Sequence, residues 1–230
     1  MKDNEIDDIL KRAGRAPHEV DPALLDRVTG SIGSSLTPIR PLPPARMLTA
    51  GLLFLCVGIP LLGAAVLGFH GIEKMSALQR AMIFPTLGML IWLAGAESIQ
   101  QMTPGSRRLA APGFLLAAAS LALIAVFAGL FHDYATDRFV RQGVVCLTAG
   151  LSFAAPAGLA SWLLLRRGYA VNPLAAGMAA GTLAGLAGAT LLELHCPNFE
   201  APHVMLWHTA VVTIGGAVGA LLGRVRTAKL

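Results

Sequence analysis

Charged side chains are what this chain has least of. Asp, Glu, Lys and Arg make up 13% of its 230 residues, against about 25% in a soluble domain. With 55% hydrophobic residues and a mean hydropathy of +0.64, that scarcity excludes an ordinary soluble fold. Within the long apolar stretches no run of Asp, Glu or Arg crosses the middle, which argues against proton- or ion-coupled transport. Zinc-finger spacing is missing, and so is a basic run interleaved with aromatics. The net charge of +5 and pI near 9.6 therefore do not point to nucleic acid. They are accounted for by arginines flanking membrane spans, where anionic lipid favours them. The absence of H-E-x-x-H or any similar motif argues against a metallohydrolase, and no enzymatic activity is expected.

What is present is a set of six apolar runs, at 47–69, 80–98, 109–131, 140–165, 170–194 and 204–225. Each is near the ~20 residues a helix needs to cross a bilayer. None reads as a cleavable signal peptide, because the first follows a polar tail of about 45 residues. Pro60, Pro85, Pro112 and Pro156 lie inside these runs, where neighbouring helices and water can satisfy the freed backbone groups. The expected fold is all-α: an integral membrane six-helix bundle over 47–225, a cytoplasmic tail over 1–46 and a short C-terminus over 226–230. Glycines at 177, 181 and 185 and at 215, 219 and 223 form small-residue stripes, which read as close packing of the last two spans or as a dimer seam.

Lys and Arg set the orientation. With the tail in the cytoplasm, that side holds fourteen of the 18 basic residues and the other side only Lys74, Arg80, Arg138 and Arg141. Both termini are then cytoplasmic, as expected in a bacterial inner membrane. The last outer loop, 196–203, contains neither Lys nor Arg.

In the tail, 3–14 reads as a short helix with its acids first and Lys11-Arg12 last, matching the helix dipole. A second helix begins at Asp21-Pro22, an N-cap followed by proline at the first helical position. Ile6, Ile9 and Leu10 share a face of the first, and Leu24, Leu25, Val28 and Ile32 form a stripe on the second. Two such helices cannot close a core, so these faces need a partner: the membrane surface, the other cytoplasmic loops or a docked protein. The proline-rich stretch 34–45 is an extended linker to the first span.

The outer face collects the chemistry. His70, His132, His195, His203 and His208 fall there with Cys146 and Cys196, while Cys56 sits mid-span as a small apolar residue. Adjacent helix ends could bring Cys146 and Cys196 within disulfide reach, and a periplasmic setting would preserve the bond. His195, Cys196, His203 and His208 also offer donors for a soft or borderline divalent metal, although the spacing fits no standard zinc signature. Alternatively, a nearby imidazolium could activate the Cys196 thiol. His70 and His132 read as loop residues.

Six spans behind a cytoplasmic tail, Cys146 early in the fourth, and Cys196-Pro197 running into Trp207-His208 and a glycine-rich last span resemble the NrsF-type family of membrane anti-sigma factors. The resemblance implies regulation. An extracytoplasmic-function sigma factor would be held at the membrane by the tail and released on oxidative or heavy-metal stress, with Cys146 and Cys196 as the sensor pair. The rival reading from the residues is a small metal or solute transporter, which would want more polar side chains at mid-membrane than the Ser, Thr and Gly found here.

Overall fold

The computed structural model describes residues 11, 21–35, 43–103, 105–106, 110–166, 168 and 170–227. The chain separates into two units, Met1–Pro41 and Leu42–Leu230. In the first, helix α1 (Pro22–Ser35) starts as its sequence requires. Pro22 occupies the first helical position, and Asp21 Oδ1 accepts a hydrogen bond from the Ala23 amide at 2.9 Å. Leu24, Leu25 and Val28 are each about half exposed along its apolar stripe. The helix expected at 3–14, with Ile6, Ile9 and Leu10, lies outside the described residues.

The second unit is an all-α bundle. Its elements are α2 (Ala45–Leu67), α3 (His70–Lys74), α4 (Ala77–Gln101), α5 (Pro112–Leu130), α6 (Phe139–Leu165) and α7 (Pro173–His195). The last rod runs through α8 (Ala201–His203), a π-helical turn π1 (Val204–His208) and α9 (Thr209–Thr227). Among the described residues, six helices are long and apolar enough to cross a membrane: α2, α4, α5, α6, α7 and the α8–π1–α9 rod. At 1.5 Å per residue a 23-residue helix measures about 35 Å, enough for a ~30 Å hydrocarbon layer. Large apolar side chains such as Phe54, Leu62, Val66, Phe114 and Leu121 point outward, the arrangement a lipid-facing surface takes. The chain is thus a multi-pass membrane protein.

Local sequence explains where the helices begin. Ser76 and Gln79 close a reciprocal capping box at the start of α4. Asn172 accepts from the Ala175 amide at 3.1 Å ahead of α7. Pro112 stands in the first turn of α5 and not in its interior, because the helix starts three residues later than the apolar run. There its missing N–H costs no hydrogen bond.

Helix α7 is the central post, buried along 72% of its most apolar stretch and packed against all the other spans. Its composition, dominated by Ala and Gly, is what lets so many neighbours reach it. The tightest approach is to α9, where a methyl group added to Gly177, Gly181 or Gly185 would overlap the backbone of residues 211–219. A methyl on Gly215 or Gly219 would overlap α7 in return. The glycine stripes therefore pack the last two spans together within one chain. Gly181→Ala should lower bundle stability by about 1–3 kcal/mol, the usual cost of forcing atoms into a filled contact. Gly88→Ala in α4, where nothing among the described residues lies within 4 Å of the added methyl, should gain about 0.5–1 kcal/mol from helix propensity. Thermal unfolding of the two variants in detergent should therefore move in opposite directions.

Candidate metal and redox centre

At one end of the bundle α6, the residues just after α7, and π1 converge. Helix α6 carries Cys146 two turns from its N-terminus. One turn earlier Gly143 lies against the Trp207 ring, and any side chain there would collide with the indole. The ring also rests on Phe139, with centroids 5.6 Å apart. Gly143 thus lets π1 approach α6 at the level of Cys146.

Cys196 is the first residue beyond α7, with its amide donating to the Leu192 carbonyl at 2.7 Å. The loop that follows is fastened on two sides. Asn198 Nδ2 donates to Gln142 Oε1 on α6, and Asn198 Oδ1 accepts from the Glu200 amide. The Ala201 amide donates to the Asp133 carbonyl at 2.6 Å. Gly71, on α3, abuts the Glu193 and Cys196 carbonyls, so closely that an alanine there would clash. Cys196 is therefore held by its surroundings and not by its own chain alone.

The π-helical turn decides which side chains meet. In a regular α-helix, residues five apart point about 140° away from each other. The wider i→i+5 turn over Val204–His208 brings His203 and His208 to one side, with ring centroids 5.4 Å apart and planes near perpendicular. Such single-turn insertions are frequent at functional sites.

The resulting geometry is compact. Cys146 Sγ and Cys196 Sγ are 3.3 Å apart, and both are free thiols. His203 Nε2 lies 3.6 Å from Cys196 Sγ. One donor atom from each of Cys146, Cys196, His203 and His208 fits within 4.8 Å of the others. Cys196, His203 and His208 are buried, and Cys146 is partly exposed. His208 donates through Nδ1–H to Glu193 Oε1 at 2.6 Å, and Glu193 is itself 1% exposed. The other His208 nitrogen, Nε2, and His203 Nδ1 are buried without a hydrogen-bond partner among the described residues. Phe127 closes the far side of His208 edge to face, and continues through Phe131 to Phe199 as an aromatic wall.

Contact with the Cys146 sulfur and then burial push the Cys196 thiol above its ordinary range, with His203 and His208 opposing them in part. At neutral pH Cys196 therefore holds its proton and is a weak nucleophile until that proton is removed.

Of the residues singled out from the sequence, Cys146, Cys196, His203 and His208 come together. His195 does not join them. Its Nδ1–H donates to the Gly68 carbonyl at 3.0 Å, and its ring faces His70 at 5.8 Å. That carbonyl sits in a turn where Gly68 has φ +102°, a conformation that favours glycine. His132 is exposed, and Cys56 is fully buried in the apolar core of α2. Sequence reasoning missed the partnership of Glu193 with His208 and the role of the Gly143–Trp207 contact. A lone acid in the last turn of an otherwise apolar span was the available signal for Glu193.

The family model described as "Negative regulator of sigma F", NrsF, matches residues 33–227. A protein of Azospira oryzae named "Probable anti-sigma-F factor NrsF" is 47% identical over 52 residues, which is 23% of this chain and 24% of that protein. The match thus spans well under two thirds of that relative's length. No solved structure matches.

Proposed function

The chain belongs to the NrsF family of negative regulators of sigma F, and from that membership we propose that it is a membrane-bound anti-sigma factor without catalytic activity. It holds an extracytoplasmic-function sigma factor at the bacterial inner membrane and releases it on oxidative or heavy-metal stress. Both termini face the cytoplasm, as the distribution of Lys and Arg favours. The tail supplies the docking surface through Ile6, Ile9, Leu10, Leu24, Leu25 and Val28. The apolar stripe of α1 supports that role, since Leu24, Leu25 and Val28 are each about half exposed.

The observation that carries the sensor half is the pair of free thiols 3.3 Å apart, one on α6 and one at the end of α7. Oxidation joins them as a disulfide. Two S–H bonds break, one S–S bond forms, and two protons and two electrons pass to a peroxide or quinone. The sulfurs must close to about 2.05 Å, drawing α6 and the end of α7 together. A divalent metal taken up by the same thiols is the second trigger and would displace their protons. To move a two-state equilibrium from 1:99 to 99:1 the signal must favour release by about 5.5 kcal/mol. Disulfide and metal–thiolate bonds act on that scale.

Affinity purification of the full-length protein from its native host, with identification of co-purifying sigma factors, tests the reading. An extracytoplasmic-function sigma factor should be recovered with the wild type. It should be lost, at least tenfold, from a Leu24→Asp, Leu25→Asp, Val28→Asp variant that still inserts in the membrane. Wild-type protein free of any sigma factor would sink the anti-sigma reading.

A further inference from the structure

The four clustered donors have a geometry that thiol oxidation alone does not require. A tetrahedral zinc ion with Zn–S near 2.3 Å and Zn–N near 2.0–2.1 Å needs sulfur–sulfur edges of about 3.8 Å and sulfur–nitrogen edges of about 3.6 Å. The protein already presents 3.3 Å between the sulfurs and 3.6 Å between Cys196 Sγ and His203 Nε2, with all four atoms inside 4.8 Å. Opening the sulfur pair by about half an ångström would bring that edge to the tetrahedral length, and the remaining donors, all within 4.8 Å, would close on the ion.

Three further features point to a ligand. The first is the His208 ring, 1% exposed, whose Nδ1–H is spent on Glu193 while Nε2 has no hydrogen-bond partner among the described residues. A buried polar atom left unpaired is costly, and coordination would relieve it. The second is Glu193. A carboxylate hydrogen-bonded to the remote nitrogen of a histidine fixes its tautomer and aims the other nitrogen at a metal. The third is π1, an interruption of the last span that sets His203 and His208 on the same side. Helix formation gains nothing from such a turn.

We propose that Cys146, Cys196, His203 and His208 form a closed four-coordinate site for one divalent cation of the zinc or cadmium class, with Glu193 as the positioning carboxylate of His208. Two thiolates and two imidazoles are a donor set that such ions favour over Mg²⁺ or Ca²⁺, which want oxygen. Binding releases the two thiol protons, so affinity rises with pH. His195 is excluded from the set, being committed to Gly68. The assignment deepens the sensor reading above, and its regulatory meaning rests on that reading.

Cobalt is the spectroscopic probe. Reduced, full-length protein in detergent should bind one Co²⁺ per chain, with intense visible bands of a tetrahedral ion and a sulfur-to-cobalt charge-transfer band. Zinc and cadmium should each bleach both. Cys146→Ser, Cys196→Ser, His203→Ala and His208→Ala should each abolish the tetrahedral spectrum, while His195→Ala leaves it unchanged. Glu193→Gln should keep the spectrum but weaken affinity about 10- to 100-fold, the effect expected of an outer-sphere partner. Should a ligand variant fail to fold, alkylation of the wild type still decides: zinc should shield the accessible Cys146 thiol, and chelator should restore its reactivity. The proposal is overturned if the wild type shows no thiolate–cobalt band, or if the band survives His203→Ala and His208→Ala together. No sigma factor enters these assays. Metal binding without sigma retention would therefore sink the function above and leave the site standing.

Discussion

Diamide treatment of the reduced protein should join Cys146 to Cys196 and release the bound sigma factor, leaving less than a tenth of it on the membrane protein. The expectation starts from the 3.3 Å between the sulfurs, which leaves little motion before a bond can form. The backbone around them is fastened through Asn198 to Gln142 and through Ala201 to Asp133, so the pair is held together and not merely visited. Closing the bond draws on α6 and the end of α7, and α7 packs against every other span. A tenfold loss of retained sigma factor corresponds to about 1.4 kcal/mol of differential binding, well within what a disulfide contributes. Intact mass should fall by two hydrogens, and sigma factor should be quantified in the same sample. Cys146→Ser and Cys196→Ser should each abolish both effects, while Cys56→Ser, deep in α2, changes neither. If the bond forms and the sigma factor stays, these cysteines are not the switch.

Loss of Glu193 alone, as Glu193→Leu, should destabilise the bundle by about 3 kcal/mol, as should His208→Phe alone. Each removal strands its partner. Both side chains are about 1% exposed, so no solvent replaces the missing group. Breaking one side of a buried pair costs about 3–5 kcal/mol, whereas exchanging both sides for apolar groups of similar volume is often near neutral. The double variant should therefore recover most of the loss. For a chain of this size 3 kcal/mol corresponds to a fall of about 6–12 °C in Tm. Thermal unfolding of the two single variants and the double variant in one detergent closes the cycle. Strictly additive losses would mean that the 2.6 Å contact contributes nothing as a pair.

These variants turn on features that the residues announce unequally. The spans were legible because lipid demands about twenty apolar residues in a row, and the chain supplies six such runs. The packing of α7 on α9 was legible in the glycine spacing, since only small residues let two backbones touch. Cys146 and Cys196 could be placed at one end because helix ends follow from span lengths. The pairing of His203 with His208 could not be read this way. Five positions apart has no meaning on an α-helical face, and the π turn that gives it meaning is a tertiary outcome with no local signature in VMLWH. The Glu193–His208 contact joins two different rods, so periodicity within either one is silent about it. His195 looked equivalent to its neighbours in the chain, but Gly68 competes for it from another loop.

The two thiols differ in one respect that bears on kinetics. Cys146 is partly exposed, whereas Cys196 is 3% exposed behind it. The pair therefore has a front and a back, and whatever reaches it arrives at Cys146 first. A reagent able to react only once is stopped there, capping the outer sulfur and leaving the inner one untouched. A two-electron oxidant instead leaves an activated sulfur on Cys146 that Cys196 can resolve. Order of arrival, set by burial alone, thus separates signals that complete a bond from those that end in a dead stop.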